Sequence, residues 1–105
     1  TRSIAATGRA THQSPHDAKQ VIGMLRDYYQ RAPFVRVLDT APRMKDIVAS
    51  NYAHLSASAN GRTVAVMSVV DNLNKGAAGG AVQWMNRLFS LPETTGLTAP
   101  AAGWT

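Results

Sequence analysis

The dipeptide Asn60-Gly61 constrains the fold of this chain most, because it joins two segments that both favour β-structure. Tyr52 to Ser58 precede it and Arg62 to Val70 follow it. The second segment is rich in valine and threonine, whose branched side chains suit a pleated sheet. Asn-Gly supplies the two positive φ angles that a type I′ turn requires. The pattern therefore predicts an antiparallel hairpin closed by a type I′ turn.

A long amphipathic helix is predicted over about 15–32. Apolar side chains recur there at steps of three and four residues, which places them on one helix face. These residues are Ala18, Val21, Ile22, Leu25, Tyr28, Tyr29 and Ala32. Ser14 is the expected N-cap, Pro15 the first helical residue and Asp17 the carboxylate of a capping box. Pro33 is expected to end the helix, since it has no amide hydrogen.

The remaining elements complete an α+β class, with helices packed on an antiparallel or mixed sheet. Strands are predicted at Arg2 to Arg9 and at Phe34 to Leu38. A second helix, rich in glycine at its start, is predicted over about 76–89, and residues 90–105 form an irregular tail. The adjacent Gly79 and Gly80 each destabilise a helix by about 1 kcal/mol relative to alanine. We therefore expect another backbone or a ligand to approach this helix closely.

Composition excludes several classes of function. The net charge of +5 comes from basic residues that are spread singly along the chain, without the patch or aromatic interleaving of a nucleic-acid site. The absence of cysteine excludes disulfides, thiolate zinc sites and thiol nucleophiles, and fits a reducing, cytoplasmic compartment. No apolar stretch is long enough to cross a membrane, and no secretory signal is expected.

The histidines and carboxylates do not predict a metal centre or a hydrolase. His12 and His16 have only Asp17 as a further ligand nearby, and a site needs three or four oriented ligands. His54 is expected to face solvent or to make a core hydrogen bond within its strand. Glu93 is the only glutamate and lies in the tail, so no carboxylate pair is available for acid–base chemistry.

The segment from Asp71 to Gln83 is the most informative for function. A polar turn leads there into the amino end of a glycine-rich helix, which offers unpaired amide donors and a positive dipole to an anion or a polar cofactor group. Lys75 adds a charge, and Asn72 adds an amide that both donates and accepts. The structural alternative is that the small residues only allow tight helix packing.

This segment resembles the carboxyl-terminal signature of the N-acetyl-γ-glutamyl-phosphate reductases, which belong to the aspartate-semialdehyde dehydrogenase-like group. The similar residues are Asp71-Asn72-Leu73, Lys75-Gly76-Ala77-Ala78-Gly79, Ala81-Val82-Gln83 and Met85-Asn86, followed by Leu91-Pro92-Glu93-Thr94-Thr95-Gly96-Leu97. Pro33 to Val37, Val48 to Asn51 and Arg2 to Thr7 are similar to further family segments. Ser3 and Ala49 stand where the family usually has glycine, which leaves the geometry of those two turns in question.

The resemblance implies an enzyme that uses NADPH to reduce N-acetyl-γ-glutamyl phosphate to N-acetylglutamate semialdehyde in arginine biosynthesis. In that reaction a thiolate attacks the acyl phosphate and hydride reduces the resulting thioester. Family members carry the catalytic cysteine, an acid–base imidazole and a dinucleotide-binding (Rossmann) domain upstream of this segment. The resemblance therefore predicts the last third of the reductase, as a separate chain or a fragment, with no catalytic residue of its own and no activity alone.

The resemblance also implies that three parts of the chain have different roles. Residues 1–70 would belong to a substrate-binding and dimerisation domain of a homo-oligomer, 71–89 would face the cofactor and return to the nucleotide-binding domain, and 90–105 would form the tail. Asn72, Lys75, Gly76 and Ala77 are the expected cofactor-binding residues. Ser50 and Asn51 are candidates for contact with the acyl phosphate, although a purely structural turn is the alternative for them.

Two other interpretations stay open from the sequence. One is a non-catalytic α+β module that binds a partner chain through an apolar helix face. The other is a segment of aspartate-semialdehyde dehydrogenase, which shares the Asn72-Leu73 and Lys75-Gly76 pattern. The tail from Glu93 to Leu97 and the segment from Pro33 to Val37 favour the acetylglutamyl enzyme over the second interpretation.

Overall fold

The computed structural model describes residues 3–103, which form a four-stranded mixed sheet with two helices. The strands are β1 (Ser3–Thr11), β2 (Val35–Val37), β3 (Ala53–Asn60) and β4 (Thr63–Asp71), in the spatial order β1-β4-β3-β2. The helices are α1 (Ala18–Tyr28) and α2 (Gly79–Leu88). β4 pairs antiparallel with both β1 and β3, whereas β2 pairs parallel with β3. The predicted α+β class with a mixed sheet is confirmed.

The hairpin is confirmed, but the predicted turn type is wrong. Asn60 pairs with Thr63, so the two-residue loop consists of Gly61 and Arg62. Gly61 has a φ of +58°, while neither Asn60 nor Arg62 has a positive φ. A glycine with positive φ at the first loop position, followed by a residue with negative φ, is typical of a type II′ turn. Because of this strand register, Asn60 is the last paired residue of β3 and does not belong to the loop.

α1 is shorter than the predicted helix over 15–32. Asp17 is its N-cap in place of Ser14: Asp17 Oδ1 accepts from Gln20 N at 2.9 Å, and Asp17 N donates to Gln20 Oε1 at 3.2 Å. This reciprocal pair satisfies two of the donors that a helix start leaves free, so Pro15 stays outside the helix. At the other end, Ala32 N donates to Tyr29 O, which marks a turn before Pro33.

The second helix begins earlier than the predicted range of about 76–89. A π-helical turn (Asn74–Ala78) precedes α2 directly, with Ala78 N donating to Leu73 O at 3.0 Å. Asn74 and Lys75, predicted to lie in a polar turn, are therefore helical. α2 ends in a Schellman arrangement: Ser90 has a φ of +56°, and Leu91 N donates to Asn86 O at 2.8 Å. The tail to residue 103 is irregular, as predicted.

The predicted edge elements are present in altered lengths. β1 extends beyond the predicted end at Arg9 to Thr11, while Arg2 lies outside the described residues. β2 covers the middle of the predicted strand from Phe34 to Leu38. Its parallel pairing requires a connection that crosses from one end of the sheet to the other, and the loop after β2, with its 3₁₀ turn Met44–Asp46, makes that crossing.

The core lies where α1 packs against β2 and β3 and where the loop after β2 covers the sheet end. Apolar side chains from six segments of the chain are buried there: Ile22, Phe34, Ile47, Ala53, Ala57, Val64, Val69 and Leu97. β1 is different, since all its residues after Ser3 are exposed. Neither helix in residues 3–103 is long and apolar enough to pass through a bilayer.

His54 lies in β3 with its Nδ1 buried and without a hydrogen-bond partner. Burial lowers the pKa of His54, the charge of Arg36 lowers it further, and the charge of Asp46 opposes both. Because the folded-state pKa is depressed, the unfolded chain binds a proton more readily. The contribution of a neutral His54 to stability is complete above the unfolded pKa of about 6.5 and is lost as the pH falls through the folded pKa.

A His54→Gln variant is therefore expected to lose less thermal stability than the parent between about pH 7 and about pH 5. Glutamine is polar and does not titrate in this range. The measurement is Tm against pH by circular dichroism, with His12→Gln, at an exposed histidine, as the matched control. Equal pH profiles for His54→Gln and the parent would show that His54 does not drive the acid sensitivity.

Candidate functional site

Asp71 is the last residue of β4, and the predicted cofactor-binding segment follows it directly. Its buried carboxylate accepts backbone N–H groups from Leu73 and Asn74 through Oδ1 and from Ala49 through Oδ2, all at 2.9 Å. The first two bonds satisfy donors at the start of the helical turn, as an N-cap does. The third ties this turn to the loop before β3. From the sequence, Asp71 is expected only to begin the polar turn and the shared motif, although an aspartate before a helix start is a known capping signal.

Three of the four predicted cofactor residues lie on an exposed surface at the start of the second helix. Asn72, Gly76 and Ala77 are all exposed, and Asn72 Oδ1 lies 3.4 Å from the position that a Cβ on Gly76 would occupy. A glycine at 76 thus leaves the backbone open beside the Asn72 amide. The first N–H groups of a helix and its dipole favour negative or polar groups at this end. We call Asn72, Gly76 and Ala77 the helix-start surface.

Lys75 differs from the other three because its side chain is turned inward. Its ammonium donates a short hydrogen bond to Gln83 Oε1 and lies 5.1 Å from the ring centroid of the buried Phe34. Burial lowers the pKa of Lys75, and the negative charge of Glu93 acts in the opposite direction. The structure therefore separates Lys75 from the helix-start surface.

Gln83 and Glu93 continue this polar cluster toward the tail. Gln83 Nε2 donates to Glu93 Oε1 at 2.7 Å, and Arg87 lies 3.9 Å from the same carboxylate. A cavity of about 320 Å³ adjoins the cluster and is lined by Lys75, Gly80, Gln83, Trp84, Arg87 and Glu93. From the sequence, Glu93 is expected in the irregular tail and in the closing motif that resembles the reductases, and no local pattern pairs it with Gln83.

Ser50 and Asn51 form the turn that enters β3, next to the start of α2. Ser50 is buried, and its hydroxyl donates to Ile47 O at 2.7 Å and accepts from Tyr52 N at 3.3 Å. Asn51 Nδ2 donates to Leu97 O at 3.4 Å, while its Oδ1 is buried without a hydrogen-bond partner. The Ser50 hydroxyl is thus engaged within its own turn.

The expected close approach to the glycine-rich helix is present at Gly79. A Cβ there would overlap Asn51 Oδ1 and would lie 2.8 Å from both Asn51 Cγ and the Asn74 carbonyl oxygen. At Gly80 the corresponding neighbour is the Lys75 carbonyl oxygen at 3.0 Å. The contacts come from the turn before β3 and from the π-helical turn, so the two glycines serve packing in this structure.

Ala49, at a position where the family usually has glycine, has a φ of +61°. This left-handed conformation is costly for a residue with a Cβ. The bond from Ala49 N to the Asp71 carboxylate holds the backbone in place.

The Ala49→Gly variant is expected to gain about 1 kcal/mol of unfolding free energy, because glycine relieves the strain of this conformation but adds flexibility to the unfolded chain. Urea denaturation measures the change. Ala10→Gly, at an exposed strand position, is the control and should destabilise. A loss of stability in both variants would mean that Ala49 is not strained.

His12 and His16 lie close together but bring no third ligand. Their rings meet edge to face with centroids 4.7 Å apart. Within residues 3–103 no group of three histidine, cysteine or acidic side chains is placed to hold a metal ion. Asp17, the nearest carboxylate in sequence, is used as the cap of α1.

Comparison with known proteins agrees with the fold and with the motifs. Residues 1–72 match the family described as semialdehyde dehydrogenase, dimerisation domain. Among curated proteins, the chain is 46% identical over 101 residues to an N-acetyl-gamma-glutamyl-phosphate reductase of Symbiobacterium thermophilum, a match that covers 92% of this chain and 29% of the relative. A protein of the same name from Desulforudis audaxviator is 43% identical over 103 residues, covering 94% of this chain and 30% of the relative.

Among solved structures, aspartate semialdehyde dehydrogenase II from Vibrio cholerae superposes with a TM-score of 0.63 at 22% identity. The match covers 84% of this chain and 27% of that protein. At this identity the likeness concerns the fold. The chain thus spans less than a third of the length of the relatives that it matches.

Proposed function

Since this chain belongs to the family of semialdehyde dehydrogenase dimerisation domains, we propose that it forms the substrate and dimerisation part of an N-acetyl-γ-glutamyl-phosphate reductase. The proposed reaction is the NADPH-dependent reduction of N-acetyl-γ-glutamyl phosphate to N-acetylglutamate semialdehyde, in the cytoplasmic synthesis of arginine. The identity of 46% over 92% of the chain to a reductase of that name carries the proposal. Aspartate semialdehyde dehydrogenase II, at 22% identity, supports the fold alone.

The helix-start surface supports contact with the cofactor. NADPH supplies a hydride when it is bound, and the proposed role of this chain is to hold its nicotinamide end. The amide of Asn72 can donate to and accept from a carboxamide, and Gly76 leaves the adjacent backbone open. Ser50 and Asn51 would shape the turn on the substrate side of the site. The Ser50 hydroxyl already makes two hydrogen bonds within that turn, so its role would be to hold the backbone.

Two exposed surfaces support the proposed partners. α2 and the three residues after it present large apolar side chains to solvent, namely Trp84, Met85, Leu88, Phe89 and Leu91. Such a patch favours a covering protein surface, which we propose to be the nucleotide-binding domain. β1 is exposed on both faces and has a free edge, which supports a homo-oligomer formed through this side of the sheet.

A chimeric enzyme tests the proposal. The matching segment of the Symbiobacterium thermophilum reductase is replaced by this chain, and NADPH oxidation is followed with N-acetyl-γ-glutamyl phosphate and, separately, with aspartyl phosphate. Turnover of the first substrate alone is expected. The parent reductase reassembled through the same joints is the control. A folded chimera that binds NADPH but turns over neither substrate would contradict the proposal and favour a non-catalytic interaction module, for which the same apolar patch on α2 is the supporting observation.

In this chimera, Asn72→Leu is expected to reduce kcat/KM for NADPH by about ten- to hundredfold. Leucine has a similar volume but neither donates nor accepts, and a lost hydrogen-bond partner in a desolvated site typically costs about 1–3 kcal/mol. NADPH kinetics and Tm are measured side by side. Unchanged kinetics would contradict the cofactor role of Asn72, and a lowered Tm beside them would make Asn72 a structural residue instead, although the donors at this helix start are capped by Asp71.

A further inference from the structure

A continuous chain of polar side chains connects the tail to the π-helical turn. The Glu93 carboxylate accepts from Gln83 Nε2 at 2.7 Å, and Gln83 Oε1 accepts from the Lys75 ammonium. Both polar groups of the Gln83 amide are thereby used in a fixed direction, oxygen toward the cation and nitrogen toward the anion. We call Lys75, Gln83 and Glu93 the tail relay.

The π-helical turn places the first two members of the relay on one helix face. Residues seven apart lie nearly in line on an α-helix, whereas residues eight apart are rotated by about 80°. Lys75 and Gln83 are eight apart, but the turn Asn74–Ala78 contains one additional residue in its hydrogen-bonded ring. The additional residue restores the alignment, so Lys75 and Gln83 can meet.

The outer ends of the relay are held by buried groups. The Lys75 ammonium lies over Phe34, which is only 2% exposed. At the tail end, Asn86 is 1% exposed and its Nδ2 donates to the backbone oxygens of Glu93 at 3.1 Å and Thr95 at 3.0 Å. The backbone that carries Glu93 is therefore fixed on α2, and the relay connects two anchored segments.

We infer that Lys75 is a positioning residue, which through Gln83 and Glu93 holds the π-helical turn so that Asn72, Gly76 and Ala77 face the cofactor. This role rests on the proposed function, because it concerns the same helix-start surface. It assigns the partly buried ammonium to Gln83 and Phe34, which it would have to leave in order to contact the cofactor directly. It also implies that Glu93, a residue of the tail, helps to position the helix-start surface.

The first test uses the 105-residue chain itself and does not depend on activity. Lys75→Met, Glu93→Ala and the double variant are compared by urea denaturation, with Lys19→Met at an exposed lysine of α1 as the control. If the relay exists, the unfolding free energy of the double variant is no lower than that of the less stable single variant, because substitutions within one hydrogen-bond network do not have additive effects. The ammonium protons of Lys75 should be protected from exchange with solvent in the unsubstituted chain, and this protection should be lost in Glu93→Ala. Additive losses and an unprotected ammonium would overturn the relay.

The second test uses the chimeric reductase and separates positioning from direct contact. Lys75→Met and Glu93→Ala should each raise the KM for NADPH by about tenfold, with kcat changed by less than about twofold, and the double variant should be no worse. Glu93→Gln retains an acceptor for Gln83 and should restore most of the affinity. A raised KM in Lys75→Met with an unchanged KM in Glu93→Ala would overturn the positioning role in favour of direct contact.

The two tests distinguish the possible failures. If the chimera that carries the unsubstituted chain is inactive while the reassembled reductase is active, the proposed function is contradicted, and the denaturation and exchange results still decide the relay. An active chimera with additive variants contradicts the relay and leaves the proposed function standing.

Discussion

Replacing Gly79 with alanine should lower the unfolding free energy by about 3 kcal/mol or more, at the upper end of the range for overpacked sites. The added methyl group would overlap the Asn51 amide and would lie 2.8 Å from the Asn74 carbonyl oxygen. The backbone carbonyl cannot move without disturbing the π-helical turn that contains it. The variant is therefore expected to unfold at a markedly lower urea concentration than the parent.

Gly23→Ala in α1 is the matched control. Apart from the neighbouring backbone of α1 itself, no heavy atom lies within 4 Å of the position that its Cβ would take, so this change should stabilise the chain by about 0.5–1 kcal/mol through helix propensity. Adding Asn51→Ala to Gly79→Ala should recover part of the loss, since one of the two neighbours is removed. Similar effects of alanine at 23 and 79 would show that the contact at Gly79 is not tight.

The second large effect is expected for Asp71→Asn, with a loss of about 3 kcal/mol. The buried carboxylate accepts three backbone N–H groups, and an asparagine in its place turns an NH₂ group toward at least one of these donors. Bonds to a charged acceptor contribute about 1.5–3 kcal/mol each, and an unsatisfied buried donor adds a desolvation cost. Amide exchange should become faster at Ala49, Leu73 and Asn74 together.

Asp39→Asn provides the same chemical change at an exposed position. The Asp39 side chain is 79% exposed and pairs with Arg26 at the surface, where such a pair contributes about 0–1 kcal/mol. Denaturation of the two variants side by side separates a buried capping carboxylate from a surface charge. A loss for Asp71→Asn as small as that for Asp39→Asn would contradict the assigned role of Asp71.

The order of elements could be predicted from the sequence because it depends on local periodicity and on strong turn and stop residues. The exact ends could not, since each depends on which of several competing contacts is formed. Ser14 and Asp17 are both good N-caps, and Gln20 decides between them by returning a bond to Asp17. Likewise, Asn60-Gly61 is compatible with a type I′ turn, and the pairing of Asn60 with Thr63 selects a different loop.

The candidate site was predictable in its location but not in its internal contacts. Asn72, Gly76 and Ala77 are exposed at a helix start, a position that the polar turn before the small residues indicated. The inward direction of Lys75 depends on Gln83 and Phe34, which belong to other parts of the chain. Bonds such as that from Ala49 N to Asp71, across 22 residues, follow from strand register and loop path, for which no local pattern exists.

The position of β1 in the sheet has a consequence for the order of folding. β3 and β4 are adjacent in sequence and close through a two-residue loop, so their pairing requires little loss of chain entropy. β1 joins the same β4 from the far end of the sequence, with Ser3 opposite Asp71. Contacts of this sequence separation form slowly, because the long intervening loop must be closed first. The hairpin should therefore form early, and β1, which buries little surface, should dock last and detach first.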